Sequence, residues 1–111
     1  MNKAGFLLFL LFLLTKTVHA QTVPLRPQHL VTSKVLMSLE KMNGRQVVKV
    51  IKDPAVKEVD EASFVRIRHI QFTDGVIEVK VLSRLLPDAP PTARGFIGVA
   101  FRINDDNTKF E

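Results

Sequence analysis

The chain has 111 residues, with 16 basic and 11 acidic side chains, eight Phe, and no Cys, Trp or Tyr. That length holds one domain and is too short for a (β/α)₈ barrel or a doubly wound sheet. A disulfide framework and a cysteine-based zinc site are excluded, and an aromatic platform for sugars would have to use Phe or polar groups.

The composition is not uniform. Residues 1–20 hold 13 of the hydrophobic residues, three of the eight Phe, and Lys3 and Lys16. Without them the charge is +3, from 14 basic and 11 acidic groups. That excess is mild and unclustered, so nucleic acid is not an expected partner. Residues 1–20 read as a secretory signal peptide. Met1-Asn2-Lys3 is a positive n-region, Ala4–Leu14 is an eleven-residue apolar run, and Thr15–Ala20 is a polar c-region. Small side chains at Val18 and Ala20 suit a signal peptidase, which places cleavage between Ala20 and Gln21. A membrane-spanning helix needs about 20 apolar residues, so no permanent anchor is expected. No Cys follows the run, which excludes a lipoprotein anchor. The expected location is secreted or periplasmic. An exported domain without disulfides depends on its core alone.

In the mature part, residues 21–30 form an extended lead-in, because Pro24 and Pro27 oppose a helix. Residues 31–52 admit two readings. Asn43-Gly44 between apolar-rich runs is a hairpin signal, since a type I′ turn needs positive φ at both central positions. Folding there sets Leu39 opposite Val48 and Met37 opposite Val50. One face then carries Val35, Met37, Leu39, Val48 and Val50. The competing reading is a helix over 33–42, capped by Gly44.

Residues 53–62 are a polar loop holding Asp53-Pro54 and the acidic Glu58, Asp60 and Glu61. Residues 63–70 alternate and are β-branched, which predicts a strand. Thr73-Asp74-Gly75 is a turn. Val76–Leu82 follows with the cleanest period of two in the chain: Ile77, Val79 and Val81 on one face, Glu78 and Lys80 on the other. Residues 83–94, with Pro87, Pro90 and Pro91, are an irregular loop. Gly95–Ile103 alternates again, with Ile97, Val99, Phe101 and Ile103 facing one way. Phe96, Gly98, Ala100 and Arg102 face the other. Small residues at 98 and 100 leave that face shallow, as where a ligand or a second layer approaches closely. Asn104–Thr108 is a turn, and Lys109-Phe110-Glu111 opens another strand.

Five or six short strands with regular turn signals predict an all-β antiparallel sandwich over residues 31–111. A strand at 95–103 left unpaired would expose a long apolar edge. Two expectations follow: 31–111 is the N-terminal part of a larger domain, and an exposed strand edge permits self-association.

The segment Ile70-Gln71-Phe72-Thr73-Asp74-Gly75-Val76-Ile77-Glu78-Val79 resembles the strand opening F-x-[DN]-G-x-[IL]-E of concanavalin A-like domains. Gly95-Phe96-Ile97-Gly98-Val99-Ala100-Phe101-Arg102, followed by a polar turn and Lys109-Phe110-Glu111, resembles the next strand pair. The chain is similar in particular to secreted bacterial laminin-G-like or keto-disaccharide-hydrolase-like jelly rolls. The resemblance covers residues 70–111 and, more loosely, the hairpin at 35–52. It implies a two-sheet jelly roll with a concave glycan-facing surface and three or four further strands after Glu111. Site residues carried by those strands have no counterpart in this chain. The superfamily spans lectins, glycosidases and adhesion modules, so the fold alone does not choose among them.

The candidate ligand-binding residues are Glu78, Lys80, Phe96, Arg102 and Glu111. Glu78 and Arg102 share a face and could accept from and donate to sugar hydroxyls; the alternative is a cross-strand ion pair. Lys80 is otherwise a solvated charge, and Phe96 otherwise an inter-sheet filler. Glu78 and Glu111 could supply a glycosidase carboxylate pair, which requires about 5–5.5 Å for retention or roughly 6.5–9.5 Å for inversion. The E-x-D-x-x-E run of retaining jelly-roll glucanases is absent, so catalytic residues are not assigned. Asp105-Asp106-Asn107 has calcium-type ligands but equally suits a polar turn. His29 and His69 are read as isolated from each other, and neither a metal nor a cofactor is expected. The function expected is a non-catalytic exported glycan-binding or interaction domain. A fragment of a secreted glycoside hydrolase and a structural fragment without a ligand are the alternatives.

Overall fold

The computed structural model describes residues 19–58 and 60–111; the apolar run and most of the signal-peptide reading lie outside the described residues. The architecture is all-β. Strands β1 (Leu30–Ser33), β2 (Val35–Met42), β3 (Arg45–Lys52) and β4 (Phe64–Ile67) form two antiparallel two-stranded sheets, β1 with β4 and β2 with β3. No α-helix occurs among the described residues, and no helix among them is long and apolar enough to cross a membrane.

The β2–β3 hairpin forms as its turn chemistry dictates. Asn43 has φ 51° and Gly44 has φ 75°, the positive pair a two-residue I′ turn requires. Leu39 faces Val48 and Met37 faces Val50, the expected register. The alternative helix over 33–42 is thereby excluded. Val35 is buried at 6% exposure, while Met37, Leu39 and Val48 are half-buried and Val50 is exposed. Among the described residues, the core is therefore concentrated at the β1–β2 junction, where Leu30 is the other buried side chain.

Strand β1 was not anticipated, and it changes how the chain begins. Pro27–His29 is a short 3₁₀ turn with proline in its first turn, a position where the missing N–H costs nothing. The lead-in is thus not extended throughout, and Leu30 already belongs to a strand. Lys34, at φ 58°, breaks the chain between β1 and β2, so one apolar run yields strands in two different sheets. The loop after β3 is tied back to this break: the Asp53 amide donates to the Lys34 carbonyl at 3.0 Å, and Lys34 pairs with Glu61. Lys52 reaches the Glu58 carbonyl. The loop is thus fastened by the lysine before β2, through the Glu61 carboxylate, and by the last residue of β3, through the Glu58 backbone carbonyl.

The predicted strands over 76–82 and 95–103 are not strands in the structure. Among the described residues, 76–82 makes no backbone–backbone hydrogen bond, and 95–103 makes only those of Phe101 with Glu111. Alternation sets which face a side chain takes, but a strand also needs a partner for its N–H and C=O groups. The chain nevertheless meets itself at the two ends of these segments. Phe72 and Phe101 make an edge contact with centroids 5.7 Å apart, and Ser83 donates to the Gly95 carbonyl. Positive φ at Gly75 (132°) and Gly95 (65°) turns the backbone where each segment starts.

The chain end pairs partially. Phe101 and Glu111 exchange backbone hydrogen bonds of 3.0 and 2.9 Å, and the Asn104 amide donates to the Lys109 carbonyl at 3.0 Å. Three steps on one side match two on the other. The extra residue is a bulge, and Arg102, at φ 52°, lies within it.

Candidate functional site

The bulge determines what Arg102 can do. An unbroken alternation would set it beside Phe96, Gly98 and Ala100. The bulge re-aims it across the turn, where Nη1 donates to both carboxylate oxygens of Glu111 at 3.0 and 2.9 Å. Its Nη2 donates to the Thr73 carbonyl at 3.2 Å. Arg102 is therefore paired with Glu111, not with Glu78. Both partners are half exposed, so the pair adds little stability. It does hold the guanidinium in one orientation and ties residue 73 to the chain end.

The other candidates are spread along the exposed surface. Glu78 and Lys80 stand exposed on 76–82, and neither takes part in an ion pair or side-chain hydrogen bond among the described residues. Phe96 is 93% exposed and fills no inter-sheet gap. A Cβ placed on Gly98 would meet nothing within 4 Å, so the surface two residues along from Phe96 is open. Ala20 and Gln21 are exposed and lie in a segment without regular structure.

Two features escaped sequence reasoning. The first is the contact between His29 and His69, whose rings meet in a T-shaped arrangement with centroids 5.5 Å apart; the two are not isolated from each other. Pairing of Leu30 with Ile67 brings together the residues just outside that pair, and the Arg68 amide donates to the His29 carbonyl at 2.7 Å. The second is Arg66. It projects from β4 and donates to the carbonyls of Asn104 (3.0 Å) and Ile103 (3.3 Å), and to Asn107 Oδ1 (3.1 Å). A charged residue within a half-buried apolar strand was the available signal. Such a group needs partners, but only the fold reveals them.

The Asp105-Asp106-Asn107 segment serves a turn. Asn104 Oδ1 accepts from the amides of Thr108 and Lys109, both at 2.9 Å. Asp106 Oδ1 accepts from the Thr108 amide and hydroxyl, and the hydroxyl bond foremost holds its carboxyl below the ordinary value. Asn107 is engaged by Arg66. Beside this turn lies a depression of about 390 Å³ lined by Val31, Arg66, Arg68, His69, Ile70 and Asp105 among others.

Comparison with protein-family models, with curated proteins and with solved structures found no match for this chain.

Proposed function

We propose that this chain is an exported, non-catalytic interaction module that takes a glycan on its surface, built on the plan of a concanavalin A-like jelly roll. The observation that carries the reading is Phe96, a large apolar ring held 93% in solvent beside open space at Gly98. A ring so placed offers a stacking face for a pyranose, and an exposed apolar group of this size favours a partner over water. Arg102 is turned off the Phe96 face by the bulge and held by Glu111 and Thr73, so its remaining N–H groups would serve only a ligand long enough to reach past the ring. Lys80 and Glu78 would extend the polar rim. In the jelly-roll plan, 76–82 and 95–103 would be adjacent strands, a placement that the flanking contacts Phe72–Phe101 and Ser83–Gly95 leave open.

The test is retention on an oligosaccharide array, for the protein and for Phe96→Ala and Arg102→Ala. Loss of the stacking ring is expected to weaken retention about tenfold, and loss of Arg102 by a smaller factor. The reading fails if no glycan is retained, or if both variants, folded by circular dichroism, bind as the parent does. Release of new reducing ends from a retained glycan would replace it with the hydrolase reading.

A further inference from the structure

The segment 74–84 reads Asp74-Gly75-Val76-Ile77-Glu78-Val79-Lys80-Val81-Leu82-Ser83-Arg84. It is exposed throughout, with Val76 at 94% and Ile77, Val79, Val81 and Leu82 near half. Contacts at Phe72, just before it, and at Ser83 bring its two ends near 95–102. Its backbone has no hydrogen-bonded partner among the described residues. An alternating apolar segment in this condition is a template for strand addition.

The chemistry of the segment selects its own partner. Reversed about Val79, the sequence is complementary to itself. Val79 meets Val79, Ile77 meets Val81, and Val76 meets Leu82. Glu78 meets Lys80 twice, and Asp74 meets Arg84 twice at the flanks. Every charge falls opposite its counter-charge, and both apolar rows stay on their own faces. Neighbouring registers lose this. Centring on Lys80 sets Lys80 against Lys80, and centring on Glu78 sets Glu78 against Glu78. A one-residue slip mixes the Glu78 face with the Val79 face. None of Asp74, Glu78, Lys80 and Arg84 has an ion-pair partner within the described chain, so all four are free to pair outside it.

We propose that 74–84 pairs with the same segment of a second copy, antiparallel, with the two-fold axis at Val79. Such a contact is self-complementary and closes after two copies. It satisfies the backbone groups of the edge and gives each unpaired charge a cross-strand partner. It shares Glu78 and Lys80 with the rim of the ligand reading but uses neither Phe96 nor Arg102, so loss of glycan retention in Phe96→Ala and loss of the dimer in the charge reversals are distinguishable.

Charge exchange tests it. Sedimentation equilibrium of the full protein is expected to show a monomer–dimer equilibrium. Glu78→Lys and Lys80→Glu each replace two attractive pairs with two repulsive ones and are expected to weaken the dimer about tenfold or more. An equimolar mixture of the two variants re-forms opposite-charge pairs and associates again, and so does the double variant on its own. The absence of native cysteine permits a second, register-specific test. Val79→Cys is expected to oxidise to a dimer with itself. Ile77→Cys is expected to cross-link with Val81→Cys and not with itself, because disulfides span only about 4.4–6.8 Å between Cα atoms. A parent that is monomeric at every concentration overturns the proposal. So do single reversals that associate like the parent, a mixture that fails to associate while both variants are folded, or Ile77→Cys self-linking in place of Val79→Cys.

Discussion

Residues 30–67 and 70–111 carry comparable apolar patterns and reach different ends. Val76–Leu82 alternates more strictly than Val35–Met42, yet only the latter is a strand. The difference lies in what brings a partner. β2 is followed at once by Asn43-Gly44, a two-residue turn with both φ values preset, and its partner arrives in register. The segment 76–82 is followed by twelve residues that include three prolines. The added closure entropy of that length is modest, but the loop presets no register and its prolines remove donors. Alternation without a turn to deliver the partner leaves a β-like segment without a ladder.

Arg66 joins the two regions, so removing it should produce the largest change. Its guanidinium holds residues 103–107 against β4 through three hydrogen bonds in a partly buried setting. Arg66→Met keeps most of the stem and deletes the donors. The expected loss is about 1.5–3 kcal/mol of local stability, the range for hydrogen bonds from a charged group. Amide hydrogen exchange is expected to speed up at least tenfold over 103–109 and to stay unchanged over 36–51. If the hairpin amides accelerate equally, the regions unfold as one unit and the contrast between them disappears.

Gly44→Ala addresses the other side of the comparison with a smaller effect. Gly44 has φ 75°, and an added Cβ would meet nothing within 4 Å. Any cost is therefore backbone strain, about 1 kcal/mol for a non-glycine residue in the left-handed region. The thermal midpoint should fall and the β2–β3 amides lose protection, with 70–111 unaffected. An unchanged midpoint would mean that tertiary contacts, not the turn, set the hairpin.

The legible part of the fold was the part encoded locally. The Asn43-Gly44 turn, the register Leu39–Val48 and a strand within 63–70, which the structure limits to 64–67, follow from adjacent residues. β1 was hidden because Leu30–Ser33 runs into the apolar β2, and the break at Lys34 is a left-handed lysine that no composition rule announces. The site was less legible. Arg102 and Glu111 were nameable as charged residues, but their pairing depends on a bulge, and a single inserted residue reverses which face a side chain takes. The His29–His69 contact and the Arg66 clasp join residues 40 and about 40 positions apart. Only the strand pairing of β1 with β4 and the return of the chain end bring them together.

Acid should loosen the second region at the Asp106 turn, the smallest of these effects. The Asp106 carboxyl is held below its ordinary 3.8 by bonds from the Thr108 hydroxyl and amide. A carboxyl depressed in the folded state stabilises it fully above the unfolded value and loses that contribution as pH falls through the folded one. The window therefore lies below pH 3.8. The group is exposed, so the change is local and not a global unfolding. In an NMR titration the Thr108 amide should hold its shift down to about that pH and move only below it. Thr108→Val removes the leading bond and should raise the Asp106 midpoint toward the ordinary value. If the midpoint does not rise in Thr108→Val, the turn is held by Asn104 alone, whose Oδ1 already accepts from Thr108 and Lys109. The acid-labile element would then have to be sought outside residues 104–109.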